Sequence, residues 1–173
     1  MSSYLLIESK LGPILDTVWI QLLRTALNET YVKYLNELVK AQVEGEVAIQ
    51  NIIGNSLQEC GCQVDYFDYT PSQVAVKGEF SIYDPITEYP RRTLIAKAKG
   101  DPALPSLLIF AHPDSEPIKD IDKWNFDPFS AIEKKGRLFG WGIADDLAGC
   151  ACAVLAMQSV LSKKSEKFGS VTF

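Results

Sequence analysis

Apolar residues recur at helical spacing three times in the first third of the chain. Leu15, Val18, Trp19, Leu22, Leu23 and Ala26 predict an amphipathic helix over residues 14–27. Tyr31, Tyr34, Leu35 and Leu38 predict a second over residues 31–39. A third follows Glu44-Gly45-Glu46, with Ile49, Ile52, Ile53, Leu57 and Cys60 as its buried stripe. Gly61 is placed to cap it, because glycine enters the left-handed region without strain. The pattern then changes to strand-like runs at Cys62–Tyr69, Gln73–Phe80 and Arg92–Ala98, with Pro71 and Tyr83-Asp84-Pro85 as turns.

From Ser106 to Ala111 the chain is continuously apolar. A strand apolar on both faces belongs in the middle of a sheet covered by helices. It ends in the polar, proline-rich break His112-Pro113-Asp114-Ser115-Glu116-Pro117, which opens a long loop reaching Gly142. Ala148 to Leu161 then reads as an almost wholly apolar, buried helix closed by Lys163 and Lys164. Helices alternating with strands predict an α/β, three-layer sandwich with a central, mostly parallel sheet. The final residues, Ser170-Val171-Thr172-Phe173, read as the start of another strand.

Composition narrows the function classes. The 173 residues are 47% hydrophobic with a net charge of −5. Ample aromatic content excludes a disordered acidic tail. The scattered Lys and Arg argue against a nucleic-acid partner. The longest apolar stretch, Leu147–Met157, is short of the ~20 residues a membrane span needs. The N-terminus lacks the basic region of a secretory signal. The Cys-x-Cys pairs Cys60/Cys62 and Cys150/Cys152 have neither zinc-knuckle nor thioredoxin-like spacing. They read as reduced, small core residues, and the expected setting is cytoplasmic.

Two places carry candidate chemistry. His112, the chain's single histidine, follows the most buried strand, where ligands of open α/β sheets collect. Asp114, two residues on, is within reach of the imidazole and could fix its tautomer, leaving the other nitrogen as a metal donor. The plainer reading is a loop histidine with an aspartate beside it. The second place is Gly142-Ile143-Ala144-Asp145-Asp146-Leu147-Ala148-Gly149. One aspartate there could cap the helix. A cap needs only one carboxylate, so the other is a candidate ligand.

Taken together, the pieces resemble the co-catalytic zinc hydrolases that include acetylornithine deacetylase, succinyl-diaminopimelate desuccinylase, aminoacylase and carboxypeptidase G. The carriers of the resemblance are a Leu-x-x-Leu-Val helix (Leu35 to Val39), the Gly-x-x-Val strand (Gly61 to Val64), and His-x-Asp with a following proline (His112, Asp114, Pro117). A Trp-x-x-x-Pro-Phe loop (Trp124 to Phe129) and Gly-x-Gly-x-x-Asp (Gly140, Gly142, Asp145) complete it.

The resemblance implies a metal-dependent hydrolase of amide or peptide bonds in amino-acid-like substrates, with a water activated by two metals as nucleophile. It implies two Zn²⁺ per complete site, with Co²⁺ or Mn²⁺ acceptable to the same ligands. His112 would bind one zinc. Asp145 would bridge both, its peptide bond to Asp146 being cis, and Asp114 would orient His112 as the catalytic partner. The expected substrate is a small N-acylated amino acid or peptide, with no nucleic acid and no membrane. A homodimer is expected only if the full-length chain has the lid domain.

The family's Glu-Glu pair, second histidine ligand and lid or dimerisation domain are not found. Residues 33–173 are therefore expected to be the N-terminal part of the catalytic domain, and residues 1–32 a helical extension. Trp141, Leu147 and Ala148 depart from the family's usual arginine, lysine and glycine. The rival expectations are a catalytically incompetent fragment or pseudoenzyme, and an α/β binding module in which His112 and Asp145 are structural.

Overall fold

The computed structural model describes residues 29–74, 89–163 and 167–173. The predicted helix over 14–27, the turn at 83–85, Lys164 and most of the predicted strand 73–80 lie outside them. Residues 29–41 form the first described helix, α1, which runs unbroken across the 32/33 position expected as a domain boundary. Its inward face is Leu35, Leu38 and Val39, all essentially inaccessible to solvent.

Helix α2 spans Glu46–Glu59 and buries Ile49, Gln50, Ile53, Gly54 and Leu57, the spacing of one helical face. Its end is capped as the sequence predicts. Gly61 adopts φ +96°, Gly61 N–H donates to the Gln58 carbonyl and Cys62 N–H to the Leu57 carbonyl, both at 3.0 Å. That pair of bonds, with glycine left-handed between them, satisfies carbonyls the helix leaves open. Gly54 meets the Tyr66 hydroxyl across the helix–sheet interface, where a Cβ would collide.

The main sheet has the order β1-β2-β6-β3, with β1 at Gln63–Tyr69, β2 at Arg91–Ala98, β3 at Leu107–Leu108 and β6 at Val171–Thr172. It is mixed rather than mostly parallel: β1–β2 and β2–β6 are antiparallel and only β3–β6 is parallel. The run from Ser106 to Ala111 also departs from expectation. Only two of its residues form a strand, and β3 lies at an edge of the described sheet.

Leu107 and Ile109 line a cavity with Met157 and Leu161 of α3 (Ala148–Ser162). The alternate residues Leu108 and Phe110 are 68% and 89% exposed. Successive strand residues point to opposite faces, so an apolar run on both faces needs two covering layers. The described residues supply one. A separate hairpin, β4 (Ile132–Lys134) and β5 (Arg137–Phe139), turns through Lys135 and Gly136, both at positive φ.

Helix α3 is less buried than its apolar sequence predicts. Cys150, Ala151, Ala153, Val154 and Met157 face the core, but Cys152 and Val160 are exposed. With the turn before it, Ile143–Ser162 is 20 residues with mean hydropathy 1.4. By length and composition that is enough to cross a membrane, and it is longer than the apolar stretch Leu147–Met157. Its buried face packs with α1 and α2 in one core.

Candidate metal and catalytic site

The antiparallel placement of β2 explains how the site comes together. Because β2 runs against β6 while β3 runs with it, the first residue of β2 lies at the same end of the sheet as the carboxyl end of β3. Arg91 begins β2, Glu46 begins α2, and His112 lies four residues beyond β3. Asp145 arrives from the turn into α3. Four chain segments therefore meet at one end of the sheet, where ligands of α/β folds collect.

His112 is held from both sides. Its Nδ1 is 3.3 Å from Asp114 Oδ1 and 3.4 Å from the Asp114 backbone carbonyl, and its Nε2 is 3.1 Å from Asp145 Oδ1. Asp114 Oδ2 in turn lies 3.1 Å from Arg91 Nη2. The guanidinium also grips Glu46 with two bonds, Nε to Oε1 at 2.8 Å and Nη2 to Oε2 at 2.6 Å. The Glu46 bond raises Arg91 above its ordinary value, partial burial opposes it, and Asp114 adds to the rise. The three residues chosen from sequence, His112, Asp114 and Asp145, are thus brought together. Glu46 and Arg91 were missed.

The Asp145 turn has a specific local cause. Gly142 adopts φ +67°, and a Cβ there would run into Ser115 Oγ and Gln42 Oε1. Ser115 Oγ donates to Gln42 Oε1 at 3.0 Å, and Gln42 Nε2 donates to the Trp141 carbonyl at 2.9 Å. Trp141 Nε1 donates to the Glu116 carbonyl at 2.8 Å, tying this turn to the loop after His112. The Trp141 ring stands edge-on to Trp124, which contacts Phe126 in the same way.

Beyond Gly142, Asp145 and Asp146 leave helical geometry, with φ near −141° and −136°, and the peptide bond between them is cis. The helix-cap alternative for this pair does not hold: no side-chain capping bond forms at the start of α3. Instead the Asp146 carboxylate lies over Gly149, which has no Cβ to obstruct it.

The donor set suits a metal ion in part. An imidazole nitrogen and a carboxylate are ligands of zinc-type ions, and Asp114 at the far imidazole nitrogen is the usual orienting partner. Two donors make half a tetrahedral shell. Among the described residues no group of three or more His, Cys, Asp or Glu converges. The pair therefore fits one side of a metal site.

Beneath the site lies a cavity of about 170 Å³, lined by Gln50, Leu94, Ala111, His112, Cys150 and Phe173 among others. All four cysteines are free thiols, but only Cys62 and Cys150 are buried, so the small-core-residue reading holds for one of each pair. Burial pushes the Cys150 thiol up to about 12, and the Asp146 carboxylate adds to the rise. A thiol raised above its ordinary 9.0 favours the neutral form in the fold, so its stabilisation is complete below about pH 9 and lost as pH rises toward 12. Cys62, pushed up to about 11, acts in the same direction. The urea midpoint is expected to fall between pH 8 and pH 10.5, and Cys150 to resist a disulfide reagent at pH 8 until urea unfolds the chain. Rapid labelling of native Cys150 at pH 8 contradicts this.

The chain is similar to known proteins over most of its length. Residues 108–173 match the family model of peptidase family M20/M25/M40. The chain is 30% identical over 123 residues to N-formyl-4-amino-5-aminomethyl-2-methylpyrimidine deformylase of Bacillus subtilis, covering 71% of this chain and 25% of that enzyme. It is also 30% identical over 117 residues to succinyl-diaminopimelate desuccinylase of Pseudoalteromonas atlantica, covering 67% of this chain and 29% of that enzyme. The crystal structure of human carnosine dipeptidase 1 superposes with a TM-score of 0.65 at 18% identity, over 88% of this chain and 32% of that one. The chain spans between a quarter and a third of the length of these relatives. The sequence match running from the end of β3 through α3 assigns residues 108–173 to peptidase family M20/M25/M40.

Proposed function

We propose that this chain supplies one side of the active site of a hydrolase that cleaves amide or peptide bonds in small N-acylated amino acids or peptides. The observation that carries the reading is the opposed pair His112 Nε2 and Asp145 Oδ1, 3.1 Å apart, with Asp114 against the far imidazole nitrogen. The relatives' names, a deformylase and a desuccinylase, support removal of a small acyl group from nitrogen.

His112 and Asp145 would hold a pair of zinc ions together with ligands from the rest of the catalytic unit. When bound, such a pair supplies an activated water and polarises the carbonyl to be cleaved. Asp114 keeps the His112 proton on Nδ1, so that Nε2 presents its lone pair. Asp145 would supply carboxylate oxygen to the metal. Beside Asp114, a cavity of about 300 Å³ lined by Ile118, Phe129 and Trp141 accepts an apolar part of the substrate. The free thiols suit a reducing, cytoplasmic setting.

A second reading, a binding protein or incompetent relative keeping the fold, rests on the residues that depart from the family's usual pattern, Trp141, Leu147 and Ala148. Elemental analysis of the complete protein, with hydrolysis of N-formyl, N-acetyl and N-succinyl amino acids and dipeptides, separates the two. Two metals per chain and turnover lost to a chelator and restored by Zn²⁺ are expected. Turnover undiminished without metal contradicts the mechanism, and a metal-loaded protein inert across the panel establishes the second reading.

A further inference from the structure

We infer that Arg91 is a positioning residue for the metal-binding imidazole, acting through Asp114. The inference rests on the proposed metal site and extends it by two residues. Asp114 is 48% exposed, and a half-exposed carboxylate left to itself samples several rotamers. Its two oxygens are divided here: Oδ1 faces His112 Nδ1, and Oδ2 faces Arg91 Nη2. With Oδ2 taken, the carboxylate cannot turn away without breaking an ion pair.

Arg91 is itself fixed by the two-bonded grip of Glu46, and a planar guanidinium loses little freedom in such a geometry. Glu46 begins α2, whose face is locked into the core by Ile49 and Ile53. Arg91 begins β2, whose pairing with β1 extends to Tyr69 opposite Arg91 itself. The chain Glu46–Arg91–Asp114–His112 therefore carries the rigidity of helix and sheet to a loop histidine that is 54% exposed. Asp145, 88% exposed on the other side, gives the ring little packing support.

Arg91→Gln is expected to weaken Zn²⁺ binding about tenfold, at the low end of what outer partners of metal ligands contribute. Arg91→Lys keeps the charge but not the two-pronged bond, and recovers only part of the loss. Glu46→Gln weakens binding in the same direction by less. Two readouts separate positioning from a general effect on the fold.

The first is the double variant: in an Asp114→Asn background, Arg91→Gln is expected to cost no further Zn²⁺ affinity. The second is the ¹⁵N spectrum of His112 in the complete protein with Zn²⁺ bound, its signals assigned by their loss in His112→Ala. It is expected to show Nε2 ligation in the native chain and a mixture of Nδ1 and Nε2 ligation in Arg91→Gln. Additive losses in the double variant, or unchanged affinity and spectrum in Arg91→Gln while His112→Ala abolishes binding, overturn the role of Arg91 alone. Unchanged Zn²⁺ binding in His112→Ala overturns the metal site beneath it.

Discussion

His112→Ala is expected to lower amide hydrolysis by the complete enzyme at least about 10³-fold and to remove one of its two metal ions. The magnitude follows from what that ligand supports. Polarisation of a carbonyl by a metal contributes several kcal/mol at the transition state, and each ~1.4 kcal/mol is a factor of ten. Losing about 4 kcal/mol of it gives the stated effect. The ring is half-exposed and makes its polar contacts to Asp114 and Asp145, so the variant is expected to fold normally. Asp145→Ala is expected to be as severe, since its carboxylate is the partner facing Nε2. Asp114→Asn leaves an oxygen for Nδ1 but no charge, and its loss should be nearer 10- to 100-fold. Metal content and kcat measured on the three variants test the ranking. A near-wild-type His112→Ala would remove the basis of the proposed function.

The second large effect concerns stability. Leu147→Ala is expected to destabilise the chain by about 2–5 kcal/mol. Leu147 is fully buried, yet it follows Asp145 and Asp146 directly, so the core holds the site through it. Its backbone N–H donates to the Gly142 carbonyl at 3.1 Å, closing the wide turn that carries both aspartates. Truncation leaves a cavity in the core where the Leu147 side chain sits, and the turn loses its anchor. Against a typical total of roughly 5–15 kcal/mol this is a large share, and a fall in Tm of roughly 4–20 °C is expected. Leu147→Met keeps the volume and should cost under about 1.5 kcal/mol. Leu147→Lys places an unpaired charge in the core and should be worse than alanine. Here the departure from lysine seen in the sequence has its physical account: this backbone points the residue inward. Thermal melts of the three variants check the order, and a Leu147→Ala loss below about 1 kcal/mol would contradict it.

Local patterns proved legible wherever one stretch of sequence contains the whole cause. The stripe Ile49, Ile53, Leu57 and the glycine at 61 specify α2 and its cap without help from the rest of the chain. The strand-like runs at 62–69 and 92–98, bounded by turn residues, likewise mark β1 and β2. Sheet direction was not legible, because antiparallel and parallel neighbours differ in hydrogen bonding rather than in side-chain pattern. The apolar run at 106–111 promised a central strand, but apolarity records what a segment can bury, not what covers it. The hairpin at Lys135-Gly136 was missed because its strands are three residues each, too short for a period to show.

The same distinction applies to the site. His112, Asp114 and Asp145 stand beside recognisable glycines and prolines, and their motif spacing found them. Glu46 and Arg91 are 45 residues apart and meet only through the packing of α2 on β2. The Arg91-Arg92 doublet was visible in the sequence, but nothing in it showed that Arg91 would be held by Glu46 and Asp114.

The central claim is that His112 and Asp145 hold a metal between them. Crystals of the complete protein grown with Zn²⁺, with diffraction data collected on both sides of the zinc absorption edge, test it most directly. The account predicts an anomalous peak within bonding distance of both His112 Nε2 and an Asp145 carboxylate oxygen, with Asp114 still at Nδ1. A fully active enzyme whose zinc lies elsewhere, with His112 and Asp145 touching no metal, would contradict it.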